Sequence, residues 1–268
     1  MKIGLFDSGL GGLIVTHSLI QAMPEYDYVY LGDTARVPYG NRSQEIIYQF
    51  TRDAVDYLFS KEDCQLIILA CNTASAEALR RIQQEYLPER YPERRVLGVL
   101  IPAAEATAAS TQNGKVGVIA TQGTVDSQAY TRELHKLNPK LKVYQQATPL
   151  LVPLVENNAL GYAGPMLDDY LRSLQGQAID TLILGCTHYP LYKQQLQQRL
   201  GKAVQIISQD DIIPPKLADY LQRHPEIDRL LSRQGQYTFY ATDITPGTAA
   251  VARHLFGAAI PIQKITLT

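Results

Sequence analysis

Two short segments of this chain place a cysteine in the same setting. Leu66-Ile67-Ile68-Leu69-Ala70-Cys71-Asn72-Thr73 and Thr181-Leu182-Ile183-Leu184-Gly185-Cys186-Thr187-His188 each run from an apolar, β-branched stretch into a cysteine. Such a stretch reads as a buried strand, so each cysteine falls just past a strand end, at the start of a helix. Unpaired N–H groups there carry partial positive charge, which favours a thiolate. Asn72, Thr73, Thr187 and His188 follow directly and offer donors suited to a carboxylate. His188, two residues past its cysteine, is also a plausible proton partner for that thiol. Cys64 precedes a strand without a polar partner nearby and reads as a small buried hydrophobe. Three cysteines with no CxxC or CxxH cluster point neither to a disulfide framework nor to a zinc site.

A second pair of segments fixes the register. Lys2-Ile3-Gly4-Leu5-Phe6-Asp7-Ser8 resembles Lys115-Val116-Gly117-Val118-Ile119-Ala120-Thr121, offset by 113 residues, while the cysteines are offset by 115. The chain therefore reads as two related α/β halves, each carrying one thiol. Strands are expected at Ile3 to Phe6, Tyr28 to Leu31, Leu66 to Leu69, Val96 to Leu100, Val116 to Ile119, Leu182 to Leu184 and Val204 to Ile207. Helices are expected at Ser43 to Phe59, Ala74 to Tyr86 and Tyr189 to Leu200. The alternation implies parallel sheets flanked by helices, and such sheets bind ligands outside the carboxyl ends of their strands.

Other candidates are less specific. Asp7-Ser8-Gly9-Leu10-Gly11-Gly12 invites a dinucleotide reading, but the third glycine of that fingerprint would fall on Ile14. Asp7 reads either as a helix cap or as a carboxylate aimed at an ammonium group or a thiol. Turn chemistry accounts for Pro38 and Gly40, and Tyr39-Gly40 equally offers backbone donors to a ligand. Glu156, taken alone, reads as a surface carboxylate.

Composition excludes some partners. Of 268 residues, 46% are hydrophobic and 19% charged, with a net charge of −1. Such a chain projects no long-range field toward nucleic acid or an anionic membrane. The first strand runs straight into a glycine turn, unlike a signal peptide, and no apolar run approaches the roughly 20 residues of a membrane helix. A cytoplasmic location is expected.

In order along the chain, IGLFDSGLGGL, LGDTARVPYG, LACNTASA, VPLVE and LGCTHYPL resemble the glutamate racemases of the aspartate/glutamate racemase superfamily. The resemblance runs from Ile3 to about Thr242. It implies two pseudo-symmetric parallel-sheet α/β domains with the active site in the cleft between them. Residues 1–95 plus 208–268 would form the first domain and 96–207 the second. It also implies cofactor-independent racemisation of glutamate, supplying D-glutamate for peptidoglycan, with no metal. By matching motif, Cys71 and Cys186 would be the two acid/base residues. Asp7 would assist Cys71, and Glu156 with His188 would assist Cys186. Asp7, Ser8, Tyr39, Gly40, Asn72, Thr73, Thr187 and His188 would bind substrate. Two positions depart from the family pattern: Ile101 stands at a commonly acidic position and Thr148 at a common cysteine. Oligomeric state is left open, a homodimer included.

An α-hydrogen is a very weak acid, and inversion needs a base on one face and an acid on the other. Two thiols supply both. The rivals are a racemase for aspartate or another small molecule, a two-domain solute-binding protein, and a cysteine hydrolase, which needs one nucleophile rather than two equivalent thiols.

Overall fold

The computed structural model describes residues 1–267. In the first half, strands β1 (Lys2–Asp7), β2 (Tyr28–Gly32), β3 (Cys64–Leu69) and β4 (Arg95–Gly98) form successively. The second half contributes β5 (Lys115–Ala120), β6 (Lys142–Ala147), β7 (Thr181–Gly185) and β8 (Gln205–Ile207). The chain then returns to the first sheet with β9 (Tyr237–Ala241) and β10 (Ile262–Lys264). The six-stranded sheet has the order β10-β9-β2-β1-β3-β4 and the four-stranded sheet the order β6-β5-β7-β8. Every pairing is parallel.

The order β2-β1-β3-β4 in one sheet repeats as β6-β5-β7-β8 in the other. In both, the cysteine follows the strand beside the central one, β3 next to β1 and β7 next to β5. The sequence repeat is thus a repeat of topology. β3 and β7 are buried along their whole length, which explains why they lack polar alternation.

Several boundaries differ from the sequence reading. The stretch expected as a strand over Val96 to Leu100, and assigned to the second half, is β4; it pairs with β3 of the first sheet and ends at Gly98. Leu100 already opens the helix Leu100–Ser110, in whose first turn Pro102 sacrifices no helical hydrogen bond. The helix expected over Ala74 to Tyr86 is broken into Asn72–Glu77, Leu79–Arg81 and a π turn over Ile82–Tyr86. The segment Tyr189 to Leu200 begins as a 3-10 turn through Tyr192 and becomes α-helical at Lys193. β6, β9 and β10 had no clear signal: β6 and β10 are edge strands carrying polar residues, and β9 pairs with β2, far from it in sequence.

The helix Gln209–Arg223 carries the chain back from the second sheet. It packs Ile213, Leu217 and Leu221 into the principal apolar core and lies against helix Gly12–Ala22. Pro214 and Pro215 lie within it, and its path runs along both halves, touching helix Leu100–Ser110 as well. Among the described residues, no helix is long and apolar enough to cross a membrane.

Candidate active site

Both sheets end at one cavity of about 350 Å³. Its wall includes Ser8, Tyr39, Gly40, Cys71, Asn72 and Thr73 from the first half. The second half supplies Thr121, Thr148, Val152, Glu156, Cys186, Thr187 and His188. A more open groove of about 590 Å³, lined by Lys193, Gln197 and Asp211, holds no cysteine.

Cys71 sits at the N-cap of helix Asn72–Glu77, and its sulfur accepts a hydrogen bond from the Ala74 amide at 3.4 Å. The thiol in turn reaches Ser8 Oγ at 3.4 Å. Burial, reinforced by the Asp7 carboxylate, pushes this thiol up to about 12 despite those two bonds. This is opposite to the thiolate-favouring effect expected of a helix N-terminus, because loss of solvation outweighs the two hydrogen bonds.

Cys186 is built differently. No α-helix starts on it; the chain turns through Thr187 and His188 into the 3-10 segment Tyr189–Tyr192, with Pro190 in its first turn. His188 Nδ1 lies 3.8 Å from the Cys186 sulfur. On the far side of the ring, Nε2 is 3.3 Å from Glu156 Oε1, close enough for an ion pair but not aligned as a hydrogen bond. Burial opposes charge on this imidazole, but the neighbouring Cys186 and Glu156 prevail and raise it to about 10. Each thiol therefore has its own proton environment: a buried carboxylate for Cys71, and an imidazole–carboxylate relay for Cys186.

Asp7 does not line the cavity. It lies behind the wall, 1% exposed, with Oδ2 accepting from the Gly9 amide at 3.0 Å and Oδ1 from Thr187 Oγ1 at 3.3 Å. Burial raises its pKa, with His188 and the hydrogen bonds pulling the other way. The resemblance implies that Asp7 both assists Cys71 and touches substrate; the structure sets it behind the wall rather than in it. The glycine turn after it has a steric purpose. A Cβ on Gly11 would collide with Thr187 Oγ1 and the His188 ring, so only glycine lets the Cys186 turn seat against the first half.

Asp33, at the end of β2, is an anchor rather than a ligand group. It accepts from Tyr39 Oη at 2.5 Å, Arg36 Nε at 2.6 Å and Thr242 Oγ1 at 2.8 Å. This fixes the loop that brings Tyr39 and Gly40 to the cavity. Across the seam, a Cβ on Gly123 would press on the Gly40 carbonyl.

The glycine-seated seam, the paired thiols and the doubled topology agree with what sequence and structure comparisons find. Residues 3–211 match the model of the Asp/Glu/Hydantoin racemase family. The chain belongs to that family. A glutamate racemase from Geobacter metallireducens is 38% identical over 263 residues, covering 96% of this chain and 93% of its own. Among solved structures, a glutamate racemase isoform from Bacillus anthracis superposes with a TM-score of 0.90 at 36% identity, covering 99% of this chain and 97% of that one. The glutamate racemase from Francisella tularensis, solved in complex with D-glutamate, gives 0.89 at 31% identity over the same shares.

Within this racemase the structure adds residues that the sequence did not flag. Thr121 caps the helix Gln122–Asp126 and meets Thr73 Oγ1 at 3.0 Å across the cavity. Its signal was available, since Thr121 occupies the place of Ser8 in the repeat. Thr148, noted only as a departure, is fully buried and bonds Tyr189 Oη at 2.6 Å. Tyr130 and Gln209 reach Asn72 from elsewhere in the chain, and no local pattern announced them. Cys64 lies under Gly4 on β1, fully buried and away from the cavity.

Proposed function

We propose that this racemase interconverts L- and D-glutamate without a cofactor, using Cys71 and Cys186 as the paired acid and base. The observation that carries the reading is that two thiols, from equivalent positions of two sheets, line one small cavity. Its family relatives, named glutamate racemases, supply the substrate.

The substrate would lie with its α-carbon between the two sulfurs. One thiolate removes the α-hydrogen, and the thiol on the opposite face returns another; the roles reverse with substrate handedness. Negative charge then develops on the α-carboxylate. Asn72 and Thr73, with the backbone N–H of Thr187, would serve as donors that strengthen as it grows. Asp7, behind Cys71, keeps that sulfur weakly acidic, while His188, held by Glu156, takes up and returns the proton exchanged at Cys186. Ser8 and the anchored Tyr39–Gly40 loop complete the pocket.

The product D-glutamate would feed peptidoglycan assembly, a cytoplasmic task. Incubation of the pure protein with L-glutamate and no added cofactor, followed by chiral analysis, tests the reading. Appearance of D-glutamate toward an equal mixture supports it, and unchanged L-glutamate refutes it.

A further inference from the structure

Asn72 follows Cys71 and lines the cavity, yet two side chains from other parts of the chain hold its amide. Tyr130 Oη donates to Asn72 Oδ1 at 2.7 Å, and Gln209 Nε2 donates to the same oxygen at 3.1 Å. Gln209 Nε2 also lies 3.2 Å from Tyr130 Oη, closing a triangle. All three side chains are buried. Tyr130 comes from helix Ala129–Leu137 of the second half, and Gln209 is the first residue of the returning helix Gln209–Arg223.

The triangle leaves one donor unused. Asn72 Nδ2 is buried and has no partner within the protein, and the same holds for Gln209 Oε1. A buried amide donor without a partner is costly, so its orientation needs a cause. Two donors on Oδ1 favour this orientation, because reversing the Asn72 amide alone would set its N–H groups against the Gln209 N–H groups. Asn72 lines the cavity, so a carboxylate bound there would supply the acceptor that this orphaned donor lacks.

We infer that Tyr130 and Gln209 are positioning residues: from outside the cavity they fix the Asn72 amide so that Nδ2 serves the substrate carboxylate. The inference rests on the proposed racemisation and extends it. Neither residue touches substrate. Their hold also makes the donor's direction depend on how the second half and the returning helix sit against the first, since each contributes one corner of the triangle.

Two nearly isosteric substitutions test this. Tyr130→Phe removes one donor, and Gln209→Glu replaces the other by a group that only accepts when ionised, which draws Nδ2 away from the cavity. Kinetics in both directions and thermal melts are compared with the parent; Gln209→Met replaces Gln209→Glu if the latter does not fold. The expected result is a ten- to hundredfold loss in kcat/KM for each folded variant. The loss should lie mainly in kcat, because the bond strengthens as charge develops, and α-hydrogen exchange with solvent should slow by the same factor. Folded variants with kcat and KM within twofold of the parent overturn the inference while leaving racemisation intact. An activity loss that merely follows a lowered melting temperature, restored by assay at lower temperature, overturns it too. A parent that does not racemise glutamate overturns both readings together.

Discussion

Thr187, in the Cys186 turn, donates its hydroxyl to Asp7, behind Cys71, at 3.3 Å. The bond ties the supports of the two thiols to each other across the seam that Gly11 leaves open. A carboxylate in that place is costly, because burial raises its pKa above the ordinary 3.8. The protonated form is the one the fold tolerates better. Any stability Asp7 lends is therefore fully present below about pH 3.8 and is lost as pH rises through its raised value.

Asp7→Asn removes that pH-dependent penalty and keeps the side-chain size. The variant is expected to gain stability relative to the parent as pH rises from 3 to 7, by on the order of 1 kcal/mol, while kcat falls at least about tenfold. Urea unfolding across that range, paired with racemisation assays, checks both halves. A variant that is fully active at neutral pH would remove Asp7 from the mechanism.

His188 titrates in the opposite sense to an ordinary buried imidazole. Its value lies near 10 in the folded chain against an ordinary 6.5. Its stabilising charge is thus complete below about pH 6.5 and disappears as pH approaches 10. The stability difference between the parent and His188→Gln is expected to be largest at pH 6 and to shrink steadily toward pH 10. Activity of the variant should fall roughly a hundredfold, the usual effect of losing a proton-transfer partner. A pH-independent stability difference would contradict the raised value.

The three thiols are expected to separate cleanly on mutation. Cys71→Ala and Cys186→Ala abolish racemisation. Cys64→Ala, far from the cavity, keeps kcat within about twofold and loses on the order of 1 kcal/mol of stability through the small void beneath Gly4. Chiral assays with melting curves distinguish the three. Loss of activity in folded Cys64→Ala would reassign the chemistry.

Isotope exchange tests the two-sided arrangement directly. In deuterated water the delivering thiol is deuterated before substrate arrives, so the earliest D-glutamate formed from L-glutamate should carry deuterium at the α-carbon almost completely. Residual L-glutamate should carry little, because return of the intermediate uses the hydrogen just removed. Mass spectrometry at low conversion reads both. Abundant protium in the first D-glutamate would indicate one base serving both faces.

Sequence alone determined the elements that depend on local pattern. The two buried runs ending at Cys71 and Cys186 and their matched register follow from short stretches whose residue types have one economical reading, whereas Asp7 and Tyr39–Gly40 each kept two. Even the equivalence of Ser8 and Thr121 was present in the repeat. What only the tertiary structure decided is which of these groups face the cavity and which stand behind it. Asp7 precedes the glycine turn, but the seating of the second half, permitted at Gly11, turns its carboxylate toward Thr187 and away from the cavity wall. Tyr130 and Gln209 lie 58 and 137 residues from Asn72, and their donors converge because the sheets pack and the returning helix spans both. Strand and turn signals arise from neighbours along the chain, whereas a hydrogen bond across a seam arises from packing, and that packing leaves no trace in the spacing of the residues it joins.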